Sequence, residues 1–261
     1  MRIRFLGAEM MIFALYLSAA AMAADPFEGK WRLDPSRTED SNPRQVTFAS
    51  ITNGISLRTN QQMAFVAYYN GKDYPIDDGN TIRALRVDDH TLVSTTRRKG
   101  KLLSKATITV SKDGKHASTL VEGWGVEGPY KNTVWIDRIG SMEPGDLFLG
   151  TWQQVPSQTR YDPPLIYTLR VAGNRLDFSS NRRHIVKAKF DGKDYRRDAD
   201  DATLRLKRID EYTIEMLQKN PYDPPVTSQW HVTGNALIVA YTGIGAQGKS
   251  YKRVQYFDRI E

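Results

Sequence analysis

Asn70-Gly71-Lys72-Asp73-Tyr74 returns later in the chain as Asp191-Gly192-Lys193-Asp194-Tyr195. The separation is 191 − 70 = 121 residues, and Gly29-Lys30-Trp31 recurs at the same separation, 150 − 29 = 121, as Gly150-Thr151-Trp152. A constant separation along most of the chain indicates two copies of one structural unit. In each copy an Asn-Gly or Asp-Gly pair stands between alternating apolar residues, which predicts a β-hairpin at that point.

The length and composition also favour two domains. The chain has 261 residues, of which 40% are hydrophobic, with 19 glycines and 12 prolines. A single domain of about 100 to 150 residues would leave half of the chain unexplained. We therefore predict a first domain over residues 24–140 and a second over residues 146–261, joined by a short polar linker.

The first 23 residues have the pattern of a secretory signal peptide. Arg2 and Arg4 precede an apolar run over Met10 to Ala20, and Ala21-Met22-Ala23 is a small-x-small cleavage site. The apolar run is shorter than the roughly 20 residues that span a bilayer, so an uncleaved anchor is the less favoured alternative. We expect an exported protein, periplasmic or extracellular, with no transmembrane segment after cleavage.

Apolar and polar residues alternate with a period of two through both copies. Ala106, Ile108 and Val110 share one face, with Thr107 and Thr109 on the other. This period is typical of half-buried strands, and about ten short strands fit in each copy. Tight Gly- or Asp-rich turns alternate with longer loops, which favours two tandem up-and-down antiparallel β-barrels, each with a closed base and an open mouth.

The motif that begins each copy and the Asp-Arg pair that ends it carry a resemblance to a known family. Gly29-x-Trp31 on the first strand and Asp137-Arg138 on the last resemble the lipocalin (calycin) superfamily, and the "DGK" turns are similar to those of secreted bacterial lipocalin-like domains of unestablished function. The resemblance implies that Arg138 covers Trp31 and plugs the base of the barrel. The residues assigned to this structural role in the two copies are Gly29, Trp31, Arg138, Gly150, Trp152 and Arg259.

Composition and spacing exclude several kinds of chemistry. The chain has no cysteine, so disulfides, thiolate metal sites and a thiol nucleophile are excluded. Its four histidines are not spaced for a metal, and neither a nucleophile elbow nor a Gly-rich phosphate loop is present, so we predict no cofactor, no metal and no enzymatic activity.

The acidic stretches Asp77-Asp78-Gly79 and Asp198 to Asp201 are interpreted as loops, with weak calcium binding as the alternative. The formal charge of +7 comes from scattered basic residues, so nucleic acid is not an expected partner.

Differences between the copies indicate where a ligand would bind. Gln154 stands where the first copy has Leu33, and Gln255 stands where it has Val134, so the second copy carries two amides on its apolar face. The tetrapeptide Tyr-Asp-Pro-Pro occurs twice in the second copy, in loops that we predict at the mouth of the barrel, and we expect Arg182-Arg183 near the same rim. We predict a binding site in the second copy, and the alternative is that the amides face solvent at the barrel rim. The predicted ligand-binding residues are Tyr161, Tyr222, Arg182, Arg183, Gln154 and Gln255.

Three functions from different classes are compatible with this sequence. The first is non-catalytic binding of a small hydrophobic or amphipathic ligand by an exported protein. The second is a structural or interaction module of the cell envelope, in which both barrels are filled with side chains and the loops contact another envelope protein. The third is a hydratase-type or isomerase-type enzyme acting on a hydrophobic substrate, for which the sequence offers no catalytic constellation.

Overall fold

The computed structural model describes residues 24–60, 62–76, 79–142, 145–197, 202–220, 223–245 and 248–261. The signal peptide predicted over residues 1–23 lies outside the described residues. Most of the described chain is strand, and a short 3-10 helix lies at Pro156–Gln158. In chain order the strands are β1 (Gly29–Asp40), β2 (Gln45–Ile51), β3 (Gly54–Thr59), β4 (Gln62–Tyr68), β5 (Tyr74–Pro75), β6 (Asn80–Arg86), β7 (Thr91–Arg98), β8 (Lys101–Val110), β9 (His116–Gly125), β10 (Gly128–Ile139), β11 (Gly150–Gln154), β12 (Arg160–Asp162), β13 (Ile166–Ala172), β14 (Arg175–Ser180), β15 (His184–Lys189), β16 (Asp194–Arg196), β17 (Thr203–Asp210), β18 (Thr213–Asn220), β19 (Asp223–Thr233), β20 (Ala236–Ile244) and β21 (Ser250–Arg259).

The strands form two nearly closed antiparallel barrels in tandem. In the first barrel, β2 to β11 follow one another around the sheet, and β12 pairs with β10 beside this path. In the second barrel, β13 to β21 follow one another, and β1 pairs with both β21 and β13. Each barrel is therefore of the up-and-down type, which confirms the predicted all-β fold class.

The two copies have exchanged their first strands. β1 belongs to the first copy in sequence, but Trp31 lies opposite Arg259 in the second barrel. β11 belongs to the second copy, but Trp152 lies opposite Arg138 in the first barrel. The predicted boundaries of 24–140 and 146–261 differ from this pairing, because the first barrel is built from residues 45–154 and the second from residues 29–40 together with 166–259.

The duplication explains why exchange is possible. Both first strands carry Gly-x-Trp, so either strand fits the gap in either barrel. β11 is the next strand after β10 in the chain and pairs with it antiparallel. Residues 41–44 and 155–165 then cross between the barrels, and backbone bonds such as Gln154 N to Arg44 O fix the crossing.

The repeated pentapeptide lies at the seam of each barrel, which is the gap between the two edge strands of its sheet. It connects β4 to β5 and β15 to β16, which are the two edge strands of their sheets and do not pair with each other in the described chain. The hairpin predicted there is wrong, because the turn is held by its own side chains and not by a cross-strand ladder. The backbone N–H groups of Lys72 and Lys193 donate to the side chains of Asn70 and Asp191 at 3.1 Å, as in an Asx turn.

The aspartate and tyrosine of the pentapeptide make further hydrogen bonds, to the strand that follows the edge strand and within the turn. Asp73 accepts a hydrogen bond from Arg83 Nε at 2.9 Å, and Asp194 accepts one from Arg205 Nε at 2.8 Å. The Tyr195 hydroxyl donates to Asp191 at 2.9 Å, and the matching Tyr74 hydroxyl accepts from Asn70 Nδ2 at 2.7 Å. The repeated pentapeptide therefore stabilises each barrel at the gap between its edge strands.

The second barrel has a filled interior. Its buried core brings together four aromatic rings whose centres lie 4.7 to 6.0 Å apart. These rings belong to Tyr167, Phe178, Trp230 and Phe257. Aliphatic side chains such as Leu206 and Val239, both fully buried, complete the core.

Candidate functional site

The first barrel encloses a cavity of about 270 Å³. The alternation along its strands turns one residue in two toward the interior, and most of these side chains are aliphatic or aromatic. The lining residues are Arg44, Val46, Phe48, Leu57, Phe65, Ala84, Leu92, Ser94, Ala106, Ile108, Thr119, Val121, Val134, Ile136 and Gln154. The cavity is thus mainly apolar with a few polar groups, as in small-molecule binding sites.

Small inward side chains make this cavity. Ala84 lies opposite Ser94 in the first barrel, whereas Leu206 lies opposite Met216 at the equivalent place in the second. The register of the neighbouring strands identifies five further inward positions at which the second barrel carries the larger side chain. They are Val46 and Tyr167, Leu57 and Phe178, Ile108 and Trp230, Val121 and Tyr241, and Ile136 and Phe257.

These cavity residues are the part of the site that sequence reasoning missed. The sequence-based prediction rests on polar replacements in the second copy, whereas the cavity arises from small residues in the first. The signal was present in the repeat, because Ala84 and Ser94 align with Leu206 and Met216 at the constant separation of about 122 residues (206 − 84 = 122 and 216 − 94 = 122). Comparing side-chain volumes at aligned inward positions would have found it.

Two polar residues mark the open end of the cavity. Gln154 lies two residues beyond Trp152 on β11, and its Nε2 donates to Thr159 Oγ1 at 3.4 Å. Arg44 precedes β2 and its Nη2 donates to Thr59 Oγ1 at 3.2 Å. The cavity therefore has an apolar body and one end that is lined by a guanidinium and an amide.

A smaller polar chamber of about 50 Å³ lies between the barrels and shares Gln154 with the cavity. Gln255, Tyr161 and Arg253 also line it. Burial raises the pKa of the Tyr161 hydroxyl, and the nearby guanidinium of Arg253 partly offsets that rise. Arg253 Nε donates to Asp40 at 2.6 Å, whereas the Gln255 amide has no partner within the described residues.

The structure brings together only part of the predicted ligand-binding set. Gln154, Gln255 and Tyr161 meet in the chamber at the junction of the barrels, and not at the mouth of the second barrel. Gln154 is a first-barrel residue because β11 is exchanged. Tyr222 lies outside the described residues.

The two predicted arginines have different surroundings. The Arg182 guanidinium lies 4.3 Å from the centre of the Tyr130 ring and donates to the carbonyl of Pro163 at 2.7 Å. Because Tyr130 is on β10, Arg182 joins the second barrel to the first, and burial lowers its pKa. Arg183 is exposed at the start of β15. Neither arginine lines the cavity or the chamber.

The Gly-x-Trp motifs and the terminal arginines form the base of each barrel, with the partners exchanged. Sequence reasoning placed Arg138 over Trp31, but the Arg138 guanidinium lies 4.1 Å from the Trp152 ring, and that of Arg259 lies 4.0 Å from the Trp31 ring. Arg138 donates to the carbonyls of residues 114, 147 and 149, and Arg259 donates to those of residues 26 and 28. Desolvation by burial lowers the pKa of both guanidinium groups. The base is thus a structural plug built from backbone carbonyls and indole rings.

The glycine of each motif is required by this plug. Gly29 has φ +133° and Gly150 has φ +108°, values that favour glycine. A Cβ at Gly150 would lie 2.9 Å from Arg138 Nη1, and one at Gly29 would lie 3.0 Å from Arg259 Nη1. Each glycine therefore lets the arginine approach the strand that it covers.

No group of three metal-ligating side chains gathers among the described residues. Within the same part of the chain, no helix has the length and apolar character needed to cross a membrane. In comparisons with known proteins, no family model, no curated protein and no solved structure matches this chain.

Proposed function

We propose that the protein binds a small apolar or amphipathic molecule inside the first barrel and does not convert it chemically. The observation that carries this proposal is the contrast between the two interiors. The first barrel keeps a cavity of about 270 Å³, while the equivalent space in the second is occupied by large side chains. Duplicated barrels that differ in this way are expected where one binds a ligand and the other supports it.

The size and lining of the cavity indicate the class of ligand. Since an apolar cavity of about 150 Å³ accepts benzene, this one has room for a ligand of roughly two fused rings or a short branched chain. Burial of the ligand's apolar surface contributes about 25 cal/mol per Å². A polar group at one end of the ligand would reach Gln154 and Arg44, which fixes its orientation.

Three further parts of the proposal rest on the sequence. The pattern of residues 1–23 supports export to the periplasm or the cell exterior. The Gly-x-Trp and Asp-Arg motifs support a lipocalin-like assignment, and two nearly closed barrels are compatible with it. The lack of a recognisable catalytic constellation in the sequence supports binding without conversion.

The first experiment asks whether the cavity binds a neutral apolar probe. We expect the fluorescence of 1-aminonaphthalene to rise on mixing with the full-length protein, and native mass spectrometry to show one bound copy. Ala106→Phe places a ring in the cavity, so we expect it to abolish the signal. Ala49→Phe is the matched control, because Ala49 is exposed on the outer face of the same barrel. Binding that survives Ala106→Phe would contradict the proposal.

A second candidate is a structural or interaction module in the cell envelope. The large side chains packed inside the second barrel and the exchange of β1 and β11 favour it, because a barrel filled with side chains needs no ligand and the exchange links the two barrels. This function requires no ligand in the first barrel. Capture of a specific envelope protein by the wild-type chain, retained in Ala106→Phe, would support this candidate over the first.

A further inference from the structure

The outer faces of the two barrels form a cleft of about 750 Å³, separate from the cavity inside the first barrel. One wall comes from β1, where Arg32 alternates with the buried Trp31 and Leu33 and therefore faces outward. The opposite wall comes from β10 and β12, where Arg160 lies opposite Thr133 and shares the outer face with Trp135. The exchange of β1 contributes to this cleft. It places β1 in the second barrel, and the cleft lies between β1 and the strands β10 and β12 of the first barrel.

Two guanidinium groups line the cleft without counter-ions. Arg32 and Arg160 are exposed, and neither makes an ion pair or a side-chain hydrogen bond with the described residues. The carboxylate of Asp34 also lines the cleft, but it accepts hydrogen bonds from the backbone N and the hydroxyl of Ser36 at 3.0 and 2.6 Å. The cleft thus carries two cations against one locally satisfied carboxylate. A bound anion would relieve the repulsion between the two cations and form charge-assisted hydrogen bonds with them.

The same cleft offers flat apolar surface. Trp135 is 36% exposed and lines the cleft with part of its ring. Tyr161 and Leu165 line the cleft as well and pack against the core of the second barrel, so they form a fixed wall. An aromatic ring next to a guanidinium is the arrangement that recognises a flat anionic molecule, since the ring stacks and the cation pairs with the charge.

We propose that this cleft is a second binding site, for a small organic anion that combines a flat ring with a carboxylate or sulfonate group. Arg32 and Arg160 hold the acid group, and Trp135 stacks on the ring. A volume of about 750 Å³ lies within the range of small-molecule sites, and it exceeds that of the barrel cavity. The cleft differs from the cavity of the first barrel in position and in charge, so this proposal does not depend on ligand binding inside that barrel.

The probe for this site is 2-naphthalenesulfonate, with neutral 2-naphthol as its uncharged counterpart. Isothermal titration calorimetry is done on the full-length protein carrying Ala106→Phe, because the barrel cavity of the wild type would also accept the naphthol. It is expected to show one sulfonate bound, at least about tenfold more tightly than the naphthol. The affinity is also expected to fall as salt is raised, because ions screen an exposed pair. Equal affinity for the two probes, or no binding of the sulfonate, would overturn the proposal.

The double substitution Arg32→Gln and Arg160→Gln removes both cations and is expected to abolish the preference for the sulfonate. Arg58→Gln with Arg170→Gln is the matched control, because both residues are exposed strand arginines outside the cleft and the loss of charge is the same. Trp135→Leu keeps the cations and is expected to weaken both naphthalene probes. An unchanged sulfonate affinity in the Arg32/Arg160 variant would assign the binding elsewhere.

Ala106→Phe separates this site from the barrel cavity. We expect the variant to lose 1-aminonaphthalene but to retain 2-naphthalenesulfonate with unchanged affinity. If both probes are lost while the circular dichroism spectrum of the variant matches that of the wild type, the sulfonate was bound inside the barrel and the cleft proposal is wrong. If wild-type protein binds the sulfonate but not 1-aminonaphthalene, the cleft site stands and the proposed function of the barrel fails.

Discussion

The guanidinium of Arg259 lies 4.0 Å from the centre of the Trp31 ring, although the two residues belong to opposite ends of the chain. Their strands pair directly, with Trp31 opposite Arg259 in the register of β1 and β21. The second barrel is therefore closed by the first strand of the described chain. Arg138 and Trp152 have the same relationship in the first barrel. Each barrel thus depends on a strand from the other sequence repeat.

Trp31→Ala is expected to destabilise the second barrel although Trp31 belongs to the first sequence repeat. Its indole is fully buried in the second core, so the substitution should lower the free energy of unfolding by about 3 to 5 kcal/mol. Hydrogen exchange measured by mass spectrometry should show lost protection first in β20 and β21.

Trp152→Ala is the matched control and should act on the other barrel. It removes an equally buried indole from the first core, so protection should fall first in β9 and β10. Faster exchange of β9 and β10 in Trp31→Ala, with β20 and β21 unaffected, would show that the first strands are not exchanged in solution.

A chain that starts at Ser41 is expected to keep the first barrel and lose the second. All strands from β2 to β11 remain, but the second core loses Phe27, Trp31 and Leu33 together with the hydrogen bonds of β1. Heteronuclear NMR should then show dispersed signals for residues 45–154 and collapsed signals for the second barrel. The opposite pattern would be expected if each repeat formed its own barrel.

The fold class followed from the sequence because its signals are local. The period of two along Ala106, Ile108 and Val110 depends only on which side of a strand faces the core, and the structure turns these residues inward. The exchange of β1 and β11 could not be derived in that way. Gly-x-Trp is the same in both copies, so the preference between two equivalent gaps is decided by the connections and not by the strands themselves.

The turn at the seam shows the same limit. Asn70-Gly71 has the chemistry of a hairpin, but only Gly71 has a positive φ, and the flanking strands end as separate edges. A sequence shows that the chain reverses there, not whether the two edges come close enough to pair. The candidate site was only partly predictable for a similar reason: Gln154 was visible as a polar replacement, whereas the space beside it arises from side chains on other strands.

The substitutions Gln154→Leu and Leu33→Gln test whether an amide at this position of the repeat lowers the free energy of unfolding relative to leucine. Gln154 is half-buried, and the only hydrogen bond of its side chain within the described chain, to Thr159, is long at 3.4 Å. Gln154→Leu should therefore raise the free energy of unfolding by about 1 kcal/mol. Leu33 is 5% exposed, so Leu33→Gln should lower it by about 2 to 4 kcal/mol. Chemical denaturation of both variants measures the two changes. A loss of stability in Gln154→Leu would mean that the amide has a structural partner and is not held available for a ligand.

The protein is expected to lose stability at alkaline pH through two partly buried tyrosines that pack against the core of the second barrel. Burial raises the pKa of Tyr167 and raises that of Tyr241 well above the ordinary value of 10.0, and the Tyr241 hydroxyl donates to Tyr167. Above about pH 10 the unfolded chain releases these protons while the folded chain retains them, so the unfolded state is favoured. Each retained proton lowers the free energy of unfolding by about 1.4 kcal/mol per pH unit until the folded-state pKa is reached.

Tyr241→Phe removes one of these titrating groups and should therefore flatten the alkaline dependence. At pH 7 the same variant should lose about 1 kcal/mol, because its hydrogen bond to Tyr167 is gone, so its stability curve should cross that of the wild type at high pH. Tyr212→Phe is the control, since Tyr212 is 46% exposed and outside the core. Urea denaturation between pH 7 and 11 gives the three curves. If the wild type and Tyr241→Phe have parallel curves above pH 10, the Tyr241 hydroxyl also reaches water in the folded state, and the second barrel is more open than its packing indicates.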